Sequence, residues 1–182
     1  VLEVPVYQFT IFNSNLIGVF CNGNENILLV PNLITNHEIQ ILEKLKINYK
    51  IINTKFTALG NNLLIKDDIC LANPNLEKEA IQQLEKLNFE VKLGKIADLP
   101  TVGSCAILTK KGCLLHPDST PDDINQIEKL FKVQADIGTV NMGNPYIKSC
   151  IIINSNGYIL GEQTTGPETM RLDFALKTLE NG

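Results

Sequence analysis

Four stretches of this chain repeat one pattern: a short apolar run, a few turn-forming residues, a second apolar run, and then a polar, capped amphipathic segment. They are IGVFCNGNENILLVP ending at Pro31, LGNNLLIKDDICLANP ending at Pro74, VGSCAILTKKGCLLHP ending at Pro117 and IKSCIIINSNGYILGE ending at Glu162. The end points fall 43, 43 and 45 residues apart. A fixed period of this size marks one supersecondary unit repeated in space.

Each unit reads as β-β-α followed by a linking strand. The first predicts a strand over Ile17 to Cys21, a turn at Asn22-Gly23-Asn24 and a strand over Ile27 to Val30, because Asn-Gly tolerates the positive φ of a tight hairpin. Thr35 and Glu38 then form the spacing of a capping box, with Ile39, Leu42 and Leu45 as the apolar stripe. The second predicts strands over Leu63 to Ile65 and Ile69 to Leu71 around Lys66-Asp67-Asp68, and a helix carrying Leu76, Ala80, Leu84 and Leu87. The third turns at Lys110-Lys111-Gly112. Its helix opens at Thr120-Pro121 and carries Ile124, Ile127, Leu130 and Phe131, with proline where the first helical N–H needs no partner. The last turns at Asn156-Gly157, and its helix opens at TTGPE with Leu172, Ala175, Leu176 and Leu179.

The segments KINYKIINT, NFEVKLGKI and FKVQADIGT follow the helices as alternating strands, and VLEVPVYQFTIFNS at residues 1–14 matches them, with Val6, Gln8, Thr10 and Phe12 alternating. It therefore reads as the tail of an earlier unit. The expected division is 1–14, then units at 15–57, 58–100, 101–145 and 146–182 within a single domain. No strand follows the last helix, so a closed ring that borrows a piece from the N-terminal end is preferred over an open solenoid, since closure removes exposed sheet edges.

Composition narrows the function classes. The chain has 182 residues, 44% hydrophobic and 20% charged, enough for a core without disulfides or metals. A net charge of −4 argues against wrapping bare nucleic acid, which is driven by cationic side chains. Aromatics at 6% and the absence of tryptophan give no stacking platform for single strands. The apolar runs are strand-length, too short to span a bilayer. Five cysteines without a CxxC spacing fit a reducing compartment.

Candidate chemistry is sparse. Cys70 and Cys113 share one repeat position and Cys105 and Cys150 another, which points to packing; Cys21 reads the same way. His37 and His116 are far apart and lie in no HxxxH or HxH pattern, so they read as solvent-facing or capping side chains and no metal is expected. GxxxxGK[ST] and GxGxxG are absent, and TTGPE reads as a well-made helix cap rather than a phosphate loop. Helix carboxylates such as Glu77, Glu79, Asp122 and Asp123 read as solvated faces.

The segments TALGNNLLIKDDICLANP, LPTVGSCAILTKKGCLLHP and GTVNMGNPYIKSCIIINSNGYILGEQTTGPE closely resemble the archaeal translation initiation factor 6 family, the ribosome anti-association factors, over the whole chain. GTVN at Gly138 to Asn141 and TTGPE at Thr164 to Glu168 are the most specific pieces. The resemblance implies an α+β pentein fold, five ββαβ repeats round a pseudo-fivefold axis with strands inside and helices outside, of which the first repeat is not visible here. It implies a cytoplasmic, monomeric, cofactor-free binding protein without enzymatic activity. Such a protein occupies the intersubunit face of the large ribosomal subunit through ribosomal proteins near the sarcin-ricin loop, with ribosomal RNA as a further contact, and blocks joining of the small subunit. It implies a role in large-subunit maturation as well, and no DNA or membrane partner. The family's contact region includes the ALGN loop, here Ala58, Leu59, Gly60 and Asn61. By repeat position the expectation extends to Gly18 in Leu16-Ile17-Gly18 and to Val102, Gly103 and Ser104.

A second reading comes from the same fold, which also hosts guanidine-modifying hydrolases with a cysteine nucleophile. Cys105 or Cys150 with His116 would be its residues.

Overall fold

The computed structural model describes residues 2–177. In chain order the elements are α1 (Ile17–Phe20), β1 (Asn22–Gly23), β2 (Leu28–Pro31), α2 (Asn36–Lys44), β3 (Tyr49–Ile52), α3 (Leu59–Asn62), β4 (Leu63–Lys66), β5 (Ile69–Ala72), α4 (Lys78–Glu85) and β6 (Glu90–Leu93). They continue as β7 (Ala106–Leu108), β8 (Gly112–Leu115), α5 (Pro121–Phe131), β9 (Gln134–Ile137), a 3-10 turn at Ile147–Cys150, β10 (Ile151–Ile153), β11 (Tyr158–Leu160) and α6 (Gly166–Leu176).

Each unit is a hairpin extended by one parallel strand. The sheets run β1-β2-β3, β4-β5-β6 and β7-β8-β9, with the first pair antiparallel and the second parallel in every case. The central strands β5 and β8 are almost wholly buried, whereas the outer strand β6 carries exposed Glu90 and Lys92. The continuous apolar runs ICLA and GCLL follow from this position, covered on both faces. The last sheet, β10-β11, has two strands among the described residues.

The helices bury one stripe each. Leu42 of α2, Ala80 and Leu84 of α4, Ile127 and Phe131 of α5, and Leu172, Ala175 and Leu176 of α6 are buried. Leu179, read as part of the last stripe, lies outside the described residues. Helix α6 packs on β8 and β9 of the preceding unit, so the core is continuous across unit boundaries.

Three sequence expectations change. The first apolar run, read as a strand over Ile17 to Cys21, is the helical turn α1, and Asn22–Gly23 is the strand rather than the turn. The chain reverses at Asn24 to Ile27 instead, because the Asn24 side chain accepts the N–H groups of Asn26 and Ile27 in an Asx turn. The N-terminal segment forms no strand; its one pairing is the Ile11–Ser14 bridge, and Val6 is 89% exposed. No described strand runs beside it, and it is tied at Leu2, whose carbonyl accepts from the Asn154 and Asn156 side chains at the last hairpin. His116, expected as a solvent-facing or capping side chain, is buried, and of the two it caps: its Nδ1 accepts the Asp118 N–H at 3.2 Å, and its ring meets Tyr146 edge-on at 5.8 Å.

Candidate functional site

At one end of the molecule the short helical turns of successive units stack on one another. Three of these turns carry a glycine at the same place, and at Gly60 and Gly103 the contact leaves no room for a side chain. A Cβ on Gly60 would lie 1.9 Å from the Gly18 carbonyl oxygen, and one on Gly103 would lie 2.2 Å from those of Gly60 and Leu63. The Gly103 N–H donates to the Asn61 carbonyl at 2.9 Å, fixing the step between units. Gly60 and Gly103 are thus required by backbone-to-backbone approach.

The residues singled out in the sequence gather at this end but differ in exposure. Leu59, Gly60, Val102 and Gly103 are buried in the stack, Asn61 and Ser104 are half-buried, and Gly18 is exposed. Ser104 Oγ donates to the Thr101 carbonyl at 2.8 Å. Behind the turn, Asn62 donates to the Ala58 carbonyl and accepts from Asn73, which closes α3 on the end of β5.

In the last unit the matching residue is Lys148, which sequence reading missed. Its Nζ donates to the Gly60 carbonyl at 3.0 Å, reaching a unit that is not its neighbour in sequence order. Burial lowers its ammonium to about 8, with the facing Cys21 thiol acting in the opposite sense. The signal was present, because this is the one unit whose turn reads Ile-Lys where the others read Ile-Gly, Leu-Gly and Val-Gly.

Around the rim of this end, a carboxylate at the start of a helix reaches back to the loop that precedes the unit, from the third helical residue in α2 and α6 and from the N-cap in α4. Glu38 accepts from Thr10 Oγ1 at 2.8 Å and from the N–H groups of Phe12 and Asn13, and completes the capping box with Thr35. Glu168 does the same with Thr139 Oγ1, the N–H groups of Met142 and Gly143, and Thr165. Glu77 accepts from Thr54 Oγ1 at 2.6 Å and from the Lys55 N–H. Burial would raise the Glu38 and Glu168 carboxyls, but these donors outweigh it and bring each down to about 2. The remaining unit has Lys95 and Asp123 in place of threonine and glutamate; Lys95 turns to Asp98 at 2.7 Å and Asp123 stays within its own cap. GTVN and TTGPE are therefore two sides of one junction, joined also by Asn141 N–H to Thr164 Oγ1 and Gln163 N–H to Asn141 Oδ1.

The hydrolase reading gains nothing here. Cys105 is fully buried and burial raises its thiol; its sulfur lies 3.9 Å from Ser104 Oγ. Cys150 is half-buried, with Asn144 and Ser149 at 3.3 Å, and the His116 ring is engaged by Asp118 and Tyr146. Cys70 and Cys113 are fully buried, and burial raises Cys70 to about 12 and raises Cys113 also, so the position these two share is a packing position. Among the described residues no group of three or more histidines, cysteines and carboxylates could hold a metal, and no helix is long and apolar enough to cross a membrane.

Residues 1–175 match the family model described as the eIF-6 family. The chain belongs to that family. Its relatives include translation initiation factor 6 of Pyrobaculum aerophilum, 38% identical over 176 residues covering 96% of this chain and 80% of that protein. The factor of Methanocaldococcus jannaschii is 39% identical over 183 residues, covering 97% and 80%. The chain thus spans about 80% of the length of these eIF-6 family members. Among solved structures it is similar to the N-terminal domain of a cyanobacterial arginine dihydrolase, with a TM-score of 0.56 at 14% identity over 77% of this chain and 59% of that one. At that identity the likeness speaks for the fold alone: α+β, pentein-type, with strands inside and helices outside. The eIF-6 family is one of translation factors and not a known enzyme family.

Proposed function

We propose that this eIF-6 family member acts in translation initiation by occupying the intersubunit face of the large ribosomal subunit and so preventing the small subunit from joining. The observation that carries this is the family match over residues 1–175. The stacked-turn end is the contact surface in this reading. Backbone packing fixes its shape through Gly60 and Gly103, while Gly18, Asn61 and Ser104 are the parts open to a partner. Leu59, Val102 and the two buried glycines hold those three in place. A rigid surface of this kind suits occlusion, because little ordering entropy is lost on docking. The net charge of −4 favours encounter with basic ribosomal proteins near the sarcin-ricin loop over contact with bare ribosomal RNA. The protein acts as a monomer in the cytoplasm, without a cofactor, and serves in large-subunit maturation through the same contact.

The test is co-sedimentation of the purified protein with isolated large and small subunits. Recovery with the large subunit alone, weakened about tenfold or more by Asn61→Ala with Ser104→Trp, supports the proposal, on the expectation that blocking a central contact costs over 1.4 kcal/mol. Recovery with neither subunit overturns it.

A further inference from the structure

The parallel ladder between β2 and β3 engages alternate residues of β3. The Leu28 N–H donates to the Asn48 carbonyl at 2.9 Å, and by the alternation of a parallel pair Lys50 and Ile52 continue the ladder. The N–H and carbonyl groups of Tyr49, Ile51 and Asn53 therefore point away from β2, toward α4. At Asn53 that outward edge is already paired. The Gln83 side chain accepts the Asn53 N–H at 2.9 Å and donates to the Asn53 carbonyl at 3.1 Å, making both bonds that a neighbouring strand would make. The outward backbone groups of Tyr49 and Ile51 have no partner among the described residues. A groove of 660 Å³ runs along them, with Tyr49, Lys50 and Ile51 on the strand side and Gln83, Lys86 and Leu87 on the helix side. The other outer strands are handled differently. On β9 side chains close the edge, since the Ala135 N–H donates to Glu128 Oε1 at 3.0 Å and the Ile137 carbonyl accepts from Arg171 Nε at 3.0 Å. On β6 the exposed Glu90 and Lys92 neutralise each other at 3.0 Å. Lys50 and Lys86 are exposed and form no ion pair among the described residues, and no described carboxylate lines their groove; Glu43 reaches only the Tyr49 hydroxyl, at 3.5 Å. On a chain of net charge −4 this is a cationic groove beside an open strand edge.

We propose that the groove between β3 and α4 is a strand-addition site for an extended acidic segment of a partner protein, which pairs its backbone with Tyr49 and Ile51 and sets its carboxylates against Lys50 and Lys86. The main chain supplies the affinity, and the two lysines select the sequence. Gln83, seated on Asn53, marks where the added pairing stops. The site uses no residue of the stacked-turn end, so it stands or falls apart from the ribosomal reading.

A phage-displayed library of short random peptides, panned on the folded protein with counter-selection on the Lys50→Glu/Lys86→Glu variant, tests this directly. Sequences that set Asp and Glu among Val, Ile and Thr are expected to be enriched. The most enriched peptide, synthesised with a fluorescent label, should bind the variant about tenfold or more weakly and should lose affinity as salt is raised. N-methylation of its backbone, measured on the unaltered protein, should abolish binding at alternate positions and be tolerated between them, because only every second amide of an added strand faces β3. No enrichment after counter-selection, enrichment of basic or uncharged sequences, or binding indifferent to N-methylation at every position would each overturn the proposal.

Discussion

Glu38 and Glu168 hold the turn before their own units by accepting several N–H and O–H groups at once, and Glu38 is only 1% exposed while doing so. A carboxylate so placed makes stability depend on acid. Both groups sit near 2 in the folded protein against an ordinary value of 4.5, so their contribution is complete above pH 4.5 and is lost as pH falls toward 2. Urea midpoints measured from pH 6 down to pH 2 should fall through that window. Glu38→Gln should cost about 2–3 kcal/mol at pH 7 and flatten the pH response. Lys148 carries the opposite sign. Its folded value of about 8 lies below the ordinary 10.5, so its charge costs stability below pH 8, and the cost disappears as pH rises from 8 toward 10.5. Lys148→Met should raise the melting temperature at pH 7 and remove the rise in stability across that alkaline window. Gly60→Ala should cost at least about 1–3 kcal/mol, because the added carbon meets the Gly18 carbonyl, whereas Gly18→Ala should stay within about 0.5 kcal/mol. Thermal melts of the two variants side by side decide whether the stacked contact is as tight as described.

The same logic governs the elements. Helices α2, α5 and α6 begin with capping boxes at Thr35, Thr120 and Thr165, and these starts were legible because a cap is a local bargain between residues three apart. The hairpins of the later units were legible for a similar reason, their tips falling at Asp67-Asp68, within the expected Lys66-Asp67-Asp68, and around Asn156-Gly157. The helical turn α1 was not. It has four residues and no side-chain cap, and it exists because it stacks on α3, a contact across 42 residues of sequence that no local pattern announces. The burial of His116 was missed for a related reason: its ring neighbour, Tyr146, is thirty residues away. Glu38 and Glu168 were half visible, as caps but not as ties to Thr10 and Thr139, whereas Glu77, read as part of a solvated face, is instead the tie to Thr54. Of the candidate site, the sequence named the glycine turns but could not separate the buried Leu59 and Val102 from the reachable Asn61 and Ser104. One consequence at this scale is that Thr139→Ala should loosen the junction between Gly138–Asn141 and Thr164–Glu168 without unfolding the protein. Hydrogen exchange at the Met142 and Gly143 amides should quicken severalfold, with the amides of β8 unchanged.

At the scale of the molecule, two lysines reach between units that are not consecutive. Lys148 of the last unit meets Gly60 at the stacked-turn end, and Lys110 meets Glu25 at 2.8 Å where the hairpin tips of all four units surround a cavity of 810 Å³. The units therefore lie round a common axis instead of along a line, as the alternating helix-outside, strand-inside pattern and the family fold require. A ring-like body with one stiff end is suited to blocking a surface, and the central claim is that this end does so on the large ribosomal subunit. The most direct measurement is a sucrose gradient of purified large and small subunits at a magnesium concentration that joins them, run with and without a molar excess of this protein. The account predicts a shift of material from the joined peak to free subunits, with the protein travelling in the large-subunit fractions. A joined peak that is unchanged while the protein stays at the top of the gradient would contradict it.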